Sequence, residues 1–180
     1  MEDETDLLLF PPLRSAWSLK GRSTRVLLQG GNARRVVFGA MNVKTGKLWL
    51  VVRKHQRSED FQEFLKVLHR AYSGWHIALL LDEDTSHTAF ASQDLAEEMK
   101  ITLLWLPKRS PQLNPLDTLW GQAKDIVSAN RQYASIEDHV TRFTDYLRSL
   151  SSREILHASG ILSGHFWLRH CLSKNFCGLA

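Results

Sequence analysis

Three acidic positions, widely separated along this 180-residue chain, have the side chains best suited to chemistry. Asp82 directly follows the apolar run IALLL, Asp117 lies in the segment LNPLDTLW, and Asp3 belongs to the acidic start MEDETDLLLF. Hard divalent cations bind carboxylate oxygens, and two such ions about 3.5–4 Å apart need several of them. If the fold brings these acids together, we expect them to hold divalent ions.

Each of these acids also has an ordinary explanation when it is taken alone. Asp82 could be a loop acid that caps the next helix, although Asp84 could do that equally well. If Asn114 is an N-cap, Asp117 is the third residue of the helix, where an acid favours the positive helix end. Asp3 could belong to a solvated acidic terminus. The metal hypothesis therefore depends on convergence.

The first half of the sequence has the pattern of strands joined by turns. Its apolar and β-branched runs lie at residues 6–10, 24–29, 34–43 and 48–53. The turn KTGK between the last two runs contains glycine and predicts a β-hairpin. We therefore expect an antiparallel sheet in this half.

The second half alternates between helical and strand patterns. The predicted elements are a helix from Ser58 to Gly74, a strand at 76–82, a helix at 89–99, a strand at 101–106, a helix from Ser135, and a helix from SSRE to Gly160. Hairpins followed by helix–strand alternation predict an α/β domain with a mixed sheet. Ligands of such sheets bind outside the carboxyl ends of strands, which is where Asp82 lies. The 34 residues at 83–116 suffice for one helix, one strand and a turn before Asp117.

Charge and composition are compatible with a nucleic-acid partner. The net charge is +4 and the pI about 9.2. Basic residues cluster at Lys20, Arg22, Arg25, Arg34 and Arg35, then at Lys44, Lys47, Arg53, Lys54 and Arg57, and finally at Lys108 and Arg109. The two cysteines, Cys171 and Cys177, provide neither a disulfide framework nor a four-ligand zinc site, so we expect a reducing, intracellular setting. No apolar run approaches the roughly 20 residues of a membrane span, so we expect no membrane partner. Trp17, Trp105 and Trp120 are interpreted as core residues rather than base-stacking surfaces.

Four segments in order carry a family resemblance: DETDLLLFPPLRSAW, GNARRVVFGAMNVKTGK, LLLDEDTSHTA and LPKRSPQLNPLDTLWGQAK. Together they resemble the DDE/DDD transposases of the IS630 family, which belongs with the Tc1/mariner group. The most specific pieces are SPQLNPLDTLW and the Asp-x-x-x-x-His block. The resemblance implies a ribonuclease-H-like α/β fold, with a mixed sheet flanked by helices, over residues 1–170 and a C-terminal tail over 171–180.

The resemblance also implies a site and a chemistry. By position, Asp3, Asp82 and Asp117 would be the catalytic triad and would bind two Mg²⁺ or Mn²⁺ ions for DNA strand cleavage and strand transfer. His87 and Asn114 would support this site, although His87 could equally be a polar residue at a helix start. Glu83 stands where many relatives have Asn, and another acid there adds a ligand or repels phosphate.

The expected partners follow from the same resemblance. Lys108 and Arg109 would engage phosphates beside the site, and Arg34, Arg35 and Lys20 would follow the DNA backbone. We expect transposon-end and target DNA as substrates, a homodimer on DNA, and a nucleoid-associated location in a bacterial cytoplasm.

The start of the sequence departs from full-length relatives, which carry helix-turn-helix domains before the catalytic core. This sequence begins almost at the first acid, so we expect that module to be absent here and to be supplied by a separately encoded protein. Three interpretations stay open: an active catalytic domain, an inactive remnant that only binds DNA or oligomerises, and a ribonuclease-H-like repair nuclease. The segment SPQLNPLDTLW argues against the third.

Overall fold

The computed structural model describes residues 1–22 and 25–173, and its first three strands form one antiparallel sheet. The strands are β1 (Glu2–Leu8), β2 (Arg34–Met41) and β3 (Leu48–Arg53), in the spatial order β1-β2-β3. Asp3 pairs with Gly39 and Glu4 with Phe38, while Phe38 pairs with Val51 across the hairpin. The β2–β3 hairpin confirms the prediction made from the KTGK turn.

A second, parallel pair of strands lies beside β1. Strands β4 (Ile77–Leu81) and β5 (Ile101–Trp105) pair in parallel, and β4 is also in contact with β1. Both runs are short and almost wholly apolar, although three of the five residues of β5 are exposed. The carboxyl end of β4 therefore lies near β1, with Asp82 as the next residue.

Seven α-helices cover and connect the strands in the described part of the chain. They are α1 (Ser58–Ala71), α2 (Thr85–Thr88), α3 (Phe90–Glu98), α4 (Pro115–Ala123), α5 (Ile136–Ser149), α6 (Ser152–Ala158) and α7 (Arg169–Ser173). A 3₁₀ turn, Pro111–Leu113, precedes α4, and a π-helical turn, Lys124–Ser128, follows it. None of these helices has the length and apolar character needed to span a membrane.

Two apolar cores lie on opposite faces of the antiparallel sheet. Val37 packs in a core with α4 and α5, whereas its neighbour Phe38 packs in the other core with Phe61 and Phe64 of α1. The two residues belong to different cores because successive side chains of a strand point to opposite faces of the sheet. In β1, Asp3 shares the α4 face with the side chain of Trp120, which lies against Gly39. Glu2 and Glu4, which alternate with Asp3, instead contact His87 of α2.

Several details of the prediction are wrong. Residues 25–29 of the run predicted as a strand are not a strand, and Thr24 lies outside the described residues. Apolar composition alone misled here, because Leu27 is exposed and finds no core. Trp17 is fully exposed and Trp105 is partly exposed, so neither is a core residue, although Trp120 is.

Element boundaries also differ in places. Strand β1 begins at Glu2, four residues before the predicted run, because the backbones of its polar residues also pair with β2. Ser58 is the first residue of α1, and Arg57 precedes it without a side-chain cap. The helix starts predicted at Ser135 and at SSRE are confirmed: Ser135 and Ser151 are the N-caps, and Ser151 with Glu154 forms a capping box. The helix α7 was not predicted; Cys171 within it is exposed, and Cys177 lies outside the described residues.

Candidate acidic metal centre

Asp3 lies in the middle of the candidate site. It belongs to β1, and its largely buried side chain faces α4. The indole Nε1–H of Trp120 donates a hydrogen bond to Asp3 Oδ2 at 3.0 Å. Burial raises the pKa of Asp3 to about 7, with further contributions from the negative charges of Glu4, Asp117 and Asp82, while the Trp120 bond opposes the rise. Asp3 is therefore within electrostatic reach of both other predicted acids.

Asp82 lies at the carboxyl end of β4, with its side chain 61% exposed. His87 Nδ1 lies 3.1 Å from Asp82 Oδ1, and the Asp84 N–H donates to the same oxygen at 3.1 Å. The His87 hydrogen bond is the main cause that lowers the pKa of Asp82. Asp84, not Asp82, caps α2 through Ser86 N–H. The carboxylate of Asp82 is thus free of the helix-capping role that could have explained it.

Asp117 lies in the first turn of α4, exposed to solvent. Asn114 is the N-cap, accepting a hydrogen bond from Leu116 N–H at 3.2 Å, and Pro115 is the first helical residue, as predicted. The Asn114 Nδ2 amide also donates to the Glu2 backbone oxygen at 2.7 Å. This bond attaches the start of α4 to β1. Asn114 therefore fixes the helix end that presents Asp117 beside Asp3.

A second acidic group lies on the opposite face of β1. His87 Nε2 is 2.8 Å from Glu4 Oε1 and 3.6 Å from Glu2 Oε2, and both Glu2 and His87 are fully buried. Burial raises the pKa of Glu2 well above its usual value and also raises that of Glu4. Burial alone would lower the pKa of His87, but the surrounding carboxylates outweigh it and raise the pKa to about 12.

The sequence analysis did not single out Glu2. Its only sequence signal is the alternation of acids along β1, since Glu2 and Glu4 must share one face if Asp3 occupies the other.

Lys124 is a second residue that the sequence analysis did not identify. It lies in the π-helical turn after α4, where the carboxylates of Asp6, Asp117 and Asp3 act on its ammonium group. Burial is the larger effect and lowers its pKa. Its position in the sequence could have indicated it, because Lys124 follows Asp117 by seven residues and residues at that spacing lie on the same side of a helix.

The predicted DNA-binding cations are partly engaged within the chain. Lys108 Nζ lies 3.0 Å from Glu83 Oε2, so an acid predicted to act at the site pairs with a cation predicted to bind phosphate. Arg34 pairs with Asp6 at 2.7 Å, and Arg35 pairs with Glu137. Lys20 is exposed in the long connection after β1, and Arg109 adopts a positive φ of 56° in the turn before α4. Exposed ion pairs are weak, so such cations exchange partners at low cost.

The sheet and its acidic edge are typical of a domain that binds divalent metal ions. The strands β1 and β4 and the helix α4 contribute carboxylates from β1, the end of β4 and the start of α4, and these provide the oxygen ligands that hard divalent cations prefer. The excess of negative charge around Asp3 fits such ions, because a cation relieves the repulsion that raises its pKa. Residues 1–139 match the DDE superfamily endonuclease family, and the chain belongs to that family.

Curated relatives agree with this assignment. The chain is 29% identical over 152 residues to the insertion element IS630 uncharacterized 39 kDa protein of Shigella sonnei, covering 83% of this chain and 44% of that protein. It is 29% identical over 130 residues to the transposable element Tc3 transposase of Caenorhabditis elegans, covering 69% of this chain and 40% of that protein. The chain thus spans less than half the length of these two relatives.

Solved structures of a mariner transposase share the fold. The Mos1 mariner paired-end complex with Mn has a TM-score of 0.67 at 17% identity, covering 97% of this chain and 55% of that chain. The Mos1 strand transfer complex has a TM-score of 0.64 at 18% identity, covering 88% of this chain and 49% of that chain. The expected ribonuclease-H-like α/β fold is confirmed, with one difference: in place of a single mixed sheet, the strands form a three-stranded antiparallel sheet and a separate parallel pair, all flanked by helices.

Proposed function

We propose that this chain is the catalytic domain of a transposase, which cleaves DNA strands and joins transposon ends to target DNA. The observation that carries the proposal is the position of Asp3, whose pKa is raised by burial and by the charges of both Asp117 and Asp82. Carboxylates from three elements repel one another unless cations bind between them, so this arrangement is costly without a ligand. Membership of the endonuclease family and similarity to IS630 and Tc3 proteins support the same function.

Asp3, Asp82 and Asp117 are the residues that would hold Mg²⁺ or Mn²⁺. Two such ions, when bound, supply the activation of an attacking oxygen and the stabilisation of a leaving oxygen. The chain itself orients the ligands: Trp120 holds Asp3, His87 holds Asp82, and Asn114 holds the helix start that carries Asp117. Fixed ligand directions reduce the reorganisation needed during the reaction.

Phosphate positioning would fall to the cations around this centre. Lys108 and Arg109 lie in the turn that leads into α4, directly before the residues that orient Asp117. Lys108 would exchange Glu83 for a DNA phosphate, since its side chain is 76% exposed. Arg34, Arg35 and Lys20 would contact the backbone farther along the duplex. These contacts are independent of DNA sequence and should depend on salt.

Nicking of supercoiled plasmid DNA by the 180-residue chain tests the proposal. We expect relaxation that requires Mg²⁺ or Mn²⁺ and is lost in Asp82→Asn and in Asp117→Asn, because each change removes a charged oxygen ligand while preserving side-chain size. Asp145→Asn is the matched control, since the Asp145 side chain in α5 is 63% exposed and close to the value for Asp82. The control should nick at the wild-type rate.

Two results would count against the proposal. Equal nicking by wild type and either triad variant would remove those acids from the reaction. A wild-type chain that binds DNA but does not nick in either metal would instead support the inactive, DNA-binding interpretation. Circular dichroism of each variant should match that of the wild type, because Asp82 and Asp117 are exposed and their replacement should leave the fold intact.

A further inference from the structure

We propose that Glu2, Glu4 and His87 form a second cation site, which is buried behind the proposed catalytic triad and takes one Zn²⁺ ion. The site lies on the α1 and α2 face of β1, whereas Asp3 lies on the α4 face. The proposal concerns binding alone and does not require the chain to be a nuclease. It differs from the two-ion centre in ligand chemistry, because a histidine nitrogen favours zinc over magnesium.

The donor atoms are already spaced for a tetrahedral ion. His87 Nε2 lies 2.8 Å from Glu4 Oε1 and 3.6 Å from Glu2 Oε2, and one ligand atom from each residue lies within 4.8 Å of the other two. Zinc held at about 2.0–2.1 Å by nitrogen and oxygen separates tetrahedral donors by roughly 3.3 Å. The two distances from His87 bracket that value, and the Glu2 and Glu4 ligand atoms lie within 4.8 Å of each other. One ligand atom from each residue could therefore bind a shared ion after side-chain adjustment.

Glu2 provides an independent reason for a ligand at this place. Its side chain is fully buried, and neither carboxylate oxygen has a hydrogen-bond partner within the described residues. They are the only buried side-chain oxygen or nitrogen atoms in that part of the chain left in this state. His87 Nε2, at 3.6 Å, is beyond hydrogen-bond distance. A buried carboxylate without hydrogen bonds is costly, and cation coordination is one of the few ways to offset the cost.

The orientation of His87 also matches that of a metal ligand. Nδ1 lies 3.1 Å from both the backbone oxygen and the Oδ1 of Asp82, and both atoms only accept hydrogen bonds, so Nδ1 is the donor. Nε2 is directed at Glu4 and Glu2, so a metal ion bound there would replace the proton that these carboxylates hold on the ring. Metal-binding histidines commonly donate their other nitrogen to a carboxylate or carbonyl group, which fixes the ring. Here Asp82 has that role.

A cation bound at this site would affect Asp82 of the proposed catalytic centre through the imidazole ring of His87, which contacts both Asp82 and Glu4. Coordination at Nε2 would keep Nδ1–H as the donor to Asp82, which follows β4 on the other side of His87. The ring itself is held by tilted packing against Phe61, with centroids 4.4 Å apart. Zinc would therefore fix the His87 ring that orients Asp82, without binding to the carboxylates of the proposed catalytic triad.

Metal retention tests the proposal directly. The purified chain is treated with EDTA, incubated with ZnCl₂, passed through a desalting column and analysed by elemental mass spectrometry. We expect about one retained zinc per chain in the wild type and in Asp117→Asn, which keeps the buried site and loses the proposed catalytic ligand. The double variant Glu2→Gln with Glu4→Gln should lose retention, and Glu63→Gln, an exposed acid on α1, should keep it.

A second readout separates loss of metal from loss of fold. EDTA should lower the melting temperature of the wild type and leave that of the double variant unchanged, because only a bound ion stabilises by mass action. Retention below about one-tenth of an ion by the wild type, or equal retention by the double variant, would overturn the proposal. Loss of zinc in Asp117→Asn would instead assign the ion to the triad and also overturn it. Nicking measured in the same samples reports on the proposed function separately.

Discussion

Replacing Asp3 by Asn should stabilise the metal-free protein, although the same change should abolish metal-dependent nicking. Asp3 is largely buried and its pKa is raised to about 7 from an ordinary value of 3.8. The ionised form is therefore unfavourable in the folded state. Asparagine has the same shape and can still accept the hydrogen bond from Trp120 through its amide oxygen.

The size of the effect follows from proton linkage. Below about pH 4 Asp3 is protonated in both folded and unfolded chains, so the two proteins should have similar stability. Between about pH 4 and 7 the unfolded chain releases this proton first, and wild-type stability falls by about 1.4 kcal/mol per pH unit from this group. Above about pH 7 the loss is complete. The rise in the pKa of Asp3 from 3.8 to about 7 then gives Asp3→Asn an advantage of roughly 4 kcal/mol.

Urea unfolding in EDTA measures this difference. The free energy of unfolding is compared for wild type and Asp3→Asn at about pH 4 and about pH 8, and the gap should grow with pH. Millimolar Mg²⁺ should narrow the gap at the higher pH, because an ion that binds ionised Asp3 stabilises only the wild type. A variant that is no more stable than the wild type at about pH 8 would refute the argument that Asp3 is a repelled, buried carboxylate.

Three further changes test the surroundings of Asp3. The double change Lys108→Ala with Arg109→Ala should weaken DNA binding and reduce the slope of log affinity against log salt by up to about 1.8, since each lost duplex phosphate contact contributes about 0.9. Trp120→Phe removes the donor to Asp3 and should cost about 1 kcal/mol of stability, measured by urea unfolding, and slow nicking at neutral pH. Gly39→Ala should destabilise the fold by about 1–3 kcal/mol, seen as a lower melting temperature, because its Cβ would lie 2.5 Å from the Trp120 ring.

Each of these has a control or a contrary result. Lys66→Ala with Arg70→Ala, on the helix α1, removes the same charge and should leave the salt slope unchanged. An equal slope for both double variants would mean that Lys108 and Arg109 do not contact phosphates. Trp120→Phe with wild-type nicking at every pH would show that the indole does not orient Asp3. A Gly39→Ala protein of unchanged stability would mean that the ring has room to move.

Local structure around the site was easier to predict from the sequence than the strands of the first half. Asn114 and Pro115 specify a helix start through local chemistry, and that start was confirmed. The same holds for Ser135 and Ser151. The run at 24–29 was wrongly predicted as a strand, because strand formation depends on a partner strand and the apolar pattern does not report one. Trp17 was misjudged for the same reason, since burial depends on packing.

Residue types and their spacing were enough to identify the groups that could do chemistry: acids after a buried strand, at a helix start and along an acidic first strand, with cations before α4. Which groups those acids contact is decided only by the tertiary structure. The pairing of β1 with β2 places Asp3 on the face of Trp120 and places Glu2 and Glu4 on the opposite face, near His87. Lys108 forms an ion pair with Glu83. The difference is one of range. Capping and strand alternation act over a few residues, whereas desolvation and charge repulsion depend on groups as distant in sequence as Glu4 and His87, which are 83 positions apart.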